Sequence, residues 1–366
     1  MTDLPTPFYL IDAARLEANM RRIAELREAS GARALLALKC FATWSAFPYM
    51  RPFMDGTTSS SLFELRLGRE EFGGETHAYS VAWADHEIDE AIGHADKIIF
   101  NSLGQLDRYA GAASGIARGL RLNPRISTSG FDLADPARPF SRLGEWDMAR
   151  LEAALDRISG VMIHYNCENS DFGLFSTQLG RIESEFGPLL ERLDWVSLGG
   201  GIHFTGEGYP LEELAARLRG FADRFGVQVY LEPGEASITR AATLEVSVLD
   251  LIDNGRRIAI VDSSTEAHML DLLIYRESAK LPQAGDHEYQ IAGKTCLAGD
   301  IFGEARFAQP LRVGDRISIA DAGGYTMVKK NWFNGVAMPA IAIREADGTI
   351  RAVRRFGYDD YRASLS

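Results

Sequence analysis

The stretch Ala34-Leu35-Leu36-Ala37-Leu38-Lys39 decides how the rest of the chain is read. Apolar residues without alternation describe a strand buried on both faces, the habit of a parallel sheet flanked by helices. A helix precedes it: Asp12 is placed to cap its N-terminus, and Leu16, Met20, Ile23 and Leu26 recur at helical spacing. Outward from this strand, others are expected at residues 54–60, 75–81, 97–100, 119–123, 160–166, 195–200 and 228–232. Helical segments fit between most of them, among them Leu62 to Gly68, His86 to Ala91 and Leu211 to Phe225. Strands alternating with helices in this way over about 220 residues predict a (β/α)8 barrel, with a doubly wound open sheet as the structural alternative.

Beyond about residue 240 the texture changes. Arg257-Ile258-Ala259-Ile260-Val261, Arg316-Ile317-Ser318-Ile319 and Ala340-Ile341-Ala342-Ile343 are short β-like runs, with turn signals at Gly314-Asp315 and Asp347-Gly348. The expected organisation is a barrel over 12–240 and a mostly β domain over 241–366. Residues 1–11 contribute to the second domain through Pro7-Phe8-Tyr9-Leu10.

The net charge of −12 disfavours nucleic acid as a partner, because phosphate binding needs a basic surface, and it suits a cationic ligand. No apolar run reaches the roughly 18 residues of a membrane span, and MTDLPTPFYL lacks a basic segment followed by an apolar one. Cys40, Cys167 and Cys296 are few, odd in number and far apart, which fits free thiols. A cytoplasmic protein without a membrane partner is expected. Cys167-Glu168 has no second cluster at metal-ligand spacing, so no metal is expected.

Chemistry in such barrels sits at the C-terminal ends of the strands, and the unusual residues fall there. Lys39 follows an apolar run, where desolvation makes a neutral, nucleophilic amine suited to a Schiff base; a strand-end lysine also snorkels to water for no chemical reason. Gly199-Gly200-Gly201 lets backbone approach an anion and offer N–H donors, although three glycines also make a plain turn. Glu232, in Glu232-Pro233-Gly234-Glu235, is a carboxylate that would keep a pyridine nitrogen protonated. Barrel closure brings it to the same mouth as Lys39. His164 is a candidate to lie against a cofactor ring, and Cys296 a candidate proton donor. Together these point to pyridoxal 5'-phosphate.

The same residues resemble the pyridoxal-phosphate-dependent decarboxylases of the alanine racemase/ornithine decarboxylase superfamily. Ala37-Leu38-Lys39 is similar to that family's cofactor-lysine motif, His164 to its ring-stacking histidine, Gly199 to Gly201 to its phosphate loop, and Glu232-Pro233-Gly234 to its pyridine-nitrogen motif. Cys296 with Asp300 resembles its Cys-x-x-Gly-Asp element, and Gly323-Gly324-Tyr325 its Gly-Ala-Tyr element, whose tyrosine contacts the phosphate. Within the superfamily the resemblance is strongest to the branch acting on carboxylated polyamines. It is carried by Gly56 to Leu62, Ser141 to Gly144, Asn166-Cys167-Glu168, Ala267-His268-Met269 and Lys294 to Asp300. Leu297 stands where diaminopimelate decarboxylases carry glutamate, and Glu235 where ornithine decarboxylases carry arginine.

The resemblance implies a lyase that binds its cofactor through Lys39, His164, Gly199, Gly200, Gly201, Glu232, Gly234 and Tyr325, with Cys296 protonating the product. It also implies a homodimer with active sites at the interface, to which one subunit gives Lys39, His164 and Glu232 and the other, for the larger part, Cys296, Asp300 and Tyr325. Glu168, Asp262, Glu266 and Asp300 are the carboxylates expected along a cationic polyamine tail. The alternatives are another basic amino-acid decarboxylase, for diaminopimelate, ornithine, arginine or lysine, or a pyridoxal-phosphate-binding protein without turnover. A racemase would carry arginine in place of Glu232.

Overall fold

A computed structural model describes residues 4–366; residues 1–3 of the N-terminal segment expected to join the β domain lie outside it. The chain divides into two compact units, one formed by Ala18–Ser237 and the other by residues up to Glu17 together with Ile238–Ser366.

In chain order the strands are β1 (Phe8–Asp12), β2 (Arg33–Ala37), β3 (Gly56–Ser59), β4 (Glu75–Tyr79), β5 (Lys97–Phe100), β6 (Ala117–Arg121), β7 (Gly160–Met162), β8 (Trp195–Ser197) and β9 (Gln228–Leu231). They continue with β10 (Ala242–Asp253), β11 (Arg257–Val261), β12 (His287–Ala292), β13 (Ile301–Phe307), β14 (Arg316–Ala320), β15 (Ala340–Arg344) and β16 (Ile350–Arg354).

Strands β2 to β9 close into a parallel barrel. Closure is made by β2 on β9, with Arg33 opposite Tyr230 and Ala34 opposite Leu231. Every expected barrel strand is present, and the open-sheet alternative is excluded. The strands are shorter than expected: Lys39 follows the end of β2 rather than ending it, and β7 stops at Met162 although Ile163 and Tyr165 are also buried. The chain beyond Met162 is a buried loop, which in sequence looks like more strand.

Helix Ala13–Ser30 is capped as expected, the Asp12 carboxylate accepting from Arg15 N–H at 3.0 Å. Helix Leu211–Phe225 has the expected bounds and ends on Gly226 in the left-handed conformation. The barrel floor is filled by one large ring: Cβ atoms built on Gly119 and Gly160 would lie 2.5 Å and 2.1 Å from the Trp195 indole. Trp195 packs with Leu35, Tyr79, Ile99, Met162 and Tyr230. Small residues on two strands thus make room for a bulky one on a third, which closes that end and leaves the C-terminal mouth open.

The second unit is a sheet in the order β13-β12-β11-β10-β1-β15-β16, with β14 also paired to β10. Along β10, Ala242, Leu244, Val246 and Val248 are buried and the residues between them are not, the alternation of a half-buried strand. β1 is antiparallel to β10 and parallel to β15. Among the described residues no helix is long and apolar enough to cross a membrane.

Candidate active site at the barrel mouth

A cleft of about 320 Å³, counted out to open solvent, lies at the C-terminal ends of the barrel strands. Lys39, Tyr79, Arg121, His164 and Glu232 line it, with Thr58, Ser59 and Ser60 along one side. Each comes from the end of a different strand or the turn just after it, so the fold converges side chains that the sequence keeps apart.

The turn bearing Lys39 is held by its neighbours. Ala37 N–H donates to Pro233 O at 3.2 Å and Leu38 N–H to Thr58 O at 3.1 Å. A Cβ on Gly234 would lie 2.7 Å from Cys40 Cβ, so glycine there lets the Glu232-Pro233-Gly234 segment close against the lysine turn. Lys39 keeps only a partial opening to the mouth. Desolvation lowers its pKa, opposed by Glu232 and reinforced by Arg121. The amine is therefore biased toward the neutral, nucleophilic form.

Glu232 is buried, and its Oε1 accepts from the Ser197 hydroxyl at 2.6 Å. The same hydroxyl oxygen accepts from Gly199 N–H at 3.2 Å. Glu232 N–H in turn donates to Gly199 O at 2.8 Å, which ties the glycine run to the carboxylate strand.

The Gly200 N–H donates to Nδ1 of His164 at 3.2 Å. Nδ1 therefore acts as an acceptor and the ring is neutral, in keeping with a pKa that burial, Lys39 and Arg121 hold well below the ordinary value. Gly199 and Gly201 have φ of +69° and +81°, and Cβ atoms on Gly199, Gly200 and Gly201 would collide with His164, Glu232 O and Asn166 O. The glycines are thus required by close packing, and two of their N–H groups already serve Ser197 and His164.

Arg121, Tyr79, Ser197 and Glu64 were not singled out by sequence. Arg121 donates to the Tyr79 hydroxyl at 2.8 Å, its guanidinium carbon 5.3 Å from that ring's centre. A weaker form of the Lys39 signal existed: Gly119-Leu120-Arg121 sets a charge after a glycine and a single leucine at the end of β6. Burial raises the Glu64 carboxyl, partly offset by Ser60 N–H at 2.6 Å and by the Lys39 charge.

Glu168 is exposed, in the left-handed backbone region at φ +49°. The remaining sequence-predicted residues belong to the β unit. Asp300 is buried and fully engaged: Oδ1 accepts from Thr265 N–H and Oγ1 at 2.7 and 2.8 Å, Oδ2 from Thr295 N–H and Oγ1 at 3.1 and 2.5 Å. Asp262 accepts from Thr6 Oγ1 at 2.6 Å and Ser247 N–H at 2.9 Å. Glu266 has one buried carboxylate oxygen, Oε2, without a hydrogen bond, and desolvation raises its pKa. Cys296 is a free, exposed thiol whose N–H donates to Asn334 Oδ1 at 2.8 Å. Tyr325 stands at φ +53°, its ring centre 5.1 Å from Lys329 Nζ.

Residues 8–323 match the family model described as pyridoxal-dependent decarboxylase, C-terminal sheet domain. The chain is 65% identical, over 99% of its length and 100% of the relative's, to a carboxynorspermidine/carboxyspermidine decarboxylase of Herminiimonas arsenicoxydans. It is 38% identical, over 100% of its length and 96% of the relative's, to a carboxyaminopropylagmatine decarboxylase of Synechocystis. Among solved structures it superposes with a TM-score of 0.91 and 34% identity on the Campylobacter jejuni carboxynorspermidine decarboxylase complexed with norspermidine, covering 99% of this chain and 100% of that one.

Proposed function

Because the chain belongs to the pyridoxal-dependent decarboxylase family, we propose that it converts carboxynorspermidine, carboxyspermidine or both to norspermidine or spermidine and CO2, a step of polyamine biosynthesis. The observation that carries the substrate assignment is the 65% identity over essentially the whole of both chains to a relative of that name. The mouth fits the cofactor chemically. A desolvated lysine, a buried carboxylate, a neutral imidazole and a run of glycines with no room for Cβ atoms surround one cleft.

Bound pyridoxal phosphate supplies the electron sink for the pair left when CO2 departs. Lys39, His164, Gly199, Gly200, Gly201, Glu232 and Gly234 would hold it, and Tyr325 is the residue that the resemblance assigns to its phosphate. Desolvation and the neighbouring Arg121 favour the neutral amine of Lys39, the form that would join the cofactor's carbonyl carbon. Glu232, oriented by Ser197, keeps the proton on the pyridine nitrogen. Arg121 places a fixed positive charge beside Lys39 and favours its neutral form. Cys296 delivers a proton to the substrate Cα after CO2 has left.

The cationic tail is met by carboxylates, because an unpaired buried charge is costly. Of the four candidates, Glu266 offers an oxygen without a hydrogen bond and Glu168 is exposed. Asp262 and Asp300 already serve hydrogen bonds inside the β unit, and so act by shaping the loops that receive the tail. The working form is a homodimer in which a second copy contributes Cys296 and Asp300 to each Lys39 site. Exposure of Cys296 on the single chain is in keeping with that role.

A second substrate, carboxyaminopropylagmatine, is favoured by the 38% identical relative. The test is CO2 release from carboxynorspermidine, carboxyspermidine, carboxyaminopropylagmatine, diaminopimelate and ornithine under identical conditions. The first two are expected to exceed diaminopimelate and ornithine by at least about a hundredfold in kcat/KM. Preference for either amino acid would overturn the substrate assignment and leave the cofactor assignment standing.

A further inference from the structure

Asn101 follows β5 directly and is buried. Its Oδ1 accepts from the Tyr79 hydroxyl at 2.9 Å and from Gly144 N–H at 3.0 Å, and its Nδ2 donates to Arg142 O at 2.8 Å. A backbone N–H only donates and a carbonyl only accepts, so the two loop contacts fix the amide's orientation, and neither aspartate nor leucine satisfies both.

The phenol that donates to Asn101 also accepts from Arg121 at 2.8 Å. One side chain is therefore linked on one side to a cation lining the cleft and on the other to the loop over residues 141–145. That loop lies directly on Arg121. Gly144, at φ +86°, would bring a Cβ within 3.0 Å of both Arg121 Cγ and Arg121 O, and Glu145 N–H donates to Arg121 O at 2.9 Å. Asn123 holds the intervening residue, its Nδ2 donating to Leu143 O at 2.7 Å.

We infer that Asn101 is a positioning residue of this site: through Tyr79 it fixes the Arg121 guanidinium at the barrel mouth, and through Arg142 and Gly144 it clamps the loop that packs on Arg121. The inference rests on the reading of the mouth as the cofactor site. A buried Tyr–Asn–Arg chain of hydrogen bonds holds its members in one geometry, which a cation acting on a nearby amine requires. Asn101 touches none of the reacting groups.

The test compares Asn101→Leu, Asn101→Asp, Tyr79→Phe and the double variant Asn101→Leu/Tyr79→Phe with the wild-type chain. The readouts are affinity of the cofactor-free protein for pyridoxal phosphate by fluorescence titration, and limited proteolysis at residues 141–145. Tyr79→Phe is expected to weaken cofactor affinity by about tenfold with the loop still protected. Asn101→Leu should do the same and expose the loop. Asn101→Asp keeps the acceptor for Tyr79 and loses the donor to Arg142 O, so affinity recovers while the loop stays exposed. The double variant should bind the cofactor no worse than Asn101→Leu alone, because both changes cut one chain of contacts.

Affinity within about twofold of wild type in both Tyr79→Phe and Asn101→Leu, or additive losses in the double variant, would overturn the inference. If Asn101→Leu fails to fold, Tyr79→Phe and Asn101→Asp still decide it through their opposite patterns. A wild-type chain that does not bind pyridoxal phosphate overturns the functional reading and the inference with it, whereas normal wild-type binding with unaffected variants overturns the inference alone.

Discussion

The Ser197 hydroxyl donates a 2.6 Å hydrogen bond to Oε1 of Glu232 from the neighbouring strand, and both groups are buried. A carboxylate that must face one ring nitrogen gains from such a partner, because the bond removes its freedom to rotate. Hydrogen bonds to charged groups contribute roughly 1.5–3 kcal/mol. Ser197→Ala is therefore expected to weaken pyridoxal phosphate binding by about tenfold or more and to lower kcat, with the fold retained. Equilibrium titration with cofactor and a thermal melt separate the two effects. Unchanged affinity and kcat would show that Glu232 needs no help from Ser197.

A second group of charges sits at the opposite end of the barrel. Glu75 accepts from Arg33 at 2.6 Å, His77 Nε2 at 3.0 Å and the Tyr230 hydroxyl at 3.0 Å, and is paired with Lys97 Nζ. Burial alone would raise its pKa. The bonds from His77 and Lys97 outweigh that and hold it far below the ordinary 4.5. The folded value is depressed, so this stability is fully present above the unfolded pKa and is lost as pH falls below about 4.5 toward the folded value. Glu75→Gln should cost roughly 3 kcal/mol at neutral pH, because it leaves the largely buried Lys97 ammonium, 16% exposed, without its carboxylate. It should also flatten the acid limb of the stability curve, as read by urea denaturation between about pH 5 and 2. A variant with the wild-type acid limb would remove Glu75 as its source.

The homodimer proposal makes a complementation prediction. Lys39→Ala and Cys296→Ala should each be nearly inactive alone. After unfolding and refolding as a mixture, random pairing makes half the dimers hybrid, and each hybrid holds one site with both residues intact. About a quarter of wild-type activity should return. No recovery, with hybrids shown to form by mass spectrometry, would place Lys39 and Cys296 of one site on the same chain.

Much of this architecture was legible before any coordinates. Runs such as Ala34 to Leu38 and Ile98 to Phe100 are apolar because barrel strands are covered on both faces, and that pattern survives in sequence. Lys39 and Glu232 were legible because each is a charged residue abutting such a run. Arg121 carries the same signal in a weaker form, since a glycine and a single leucine precede it in place of a longer run. Tyr79, Asn101 and Ser197 carry none. Each is an ordinary polar residue near a strand end, and its role exists only through a contact to a different strand end or loop: Tyr79 to Asn101, Asn101 to Gly144, Ser197 to Glu232. The carboxylates of the β unit show the converse. The motif marks Asp300, and its carboxylate also accepts from Thr265 and Thr295, contacts that spacing alone does not reveal.

The central claim is that Lys39 holds pyridoxal phosphate for decarboxylation, and Lys39→Ala tests it most directly. Purified with excess cofactor, the variant should lack the visible absorbance of the wild-type holoenzyme and release no CO2 from carboxynorspermidine above background. Its thermal midpoint should stay at or above that of the cofactor-free wild type, because a desolvated amine has been removed. A Lys39→Ala protein that keeps both the absorbance and the turnover would contradict the account.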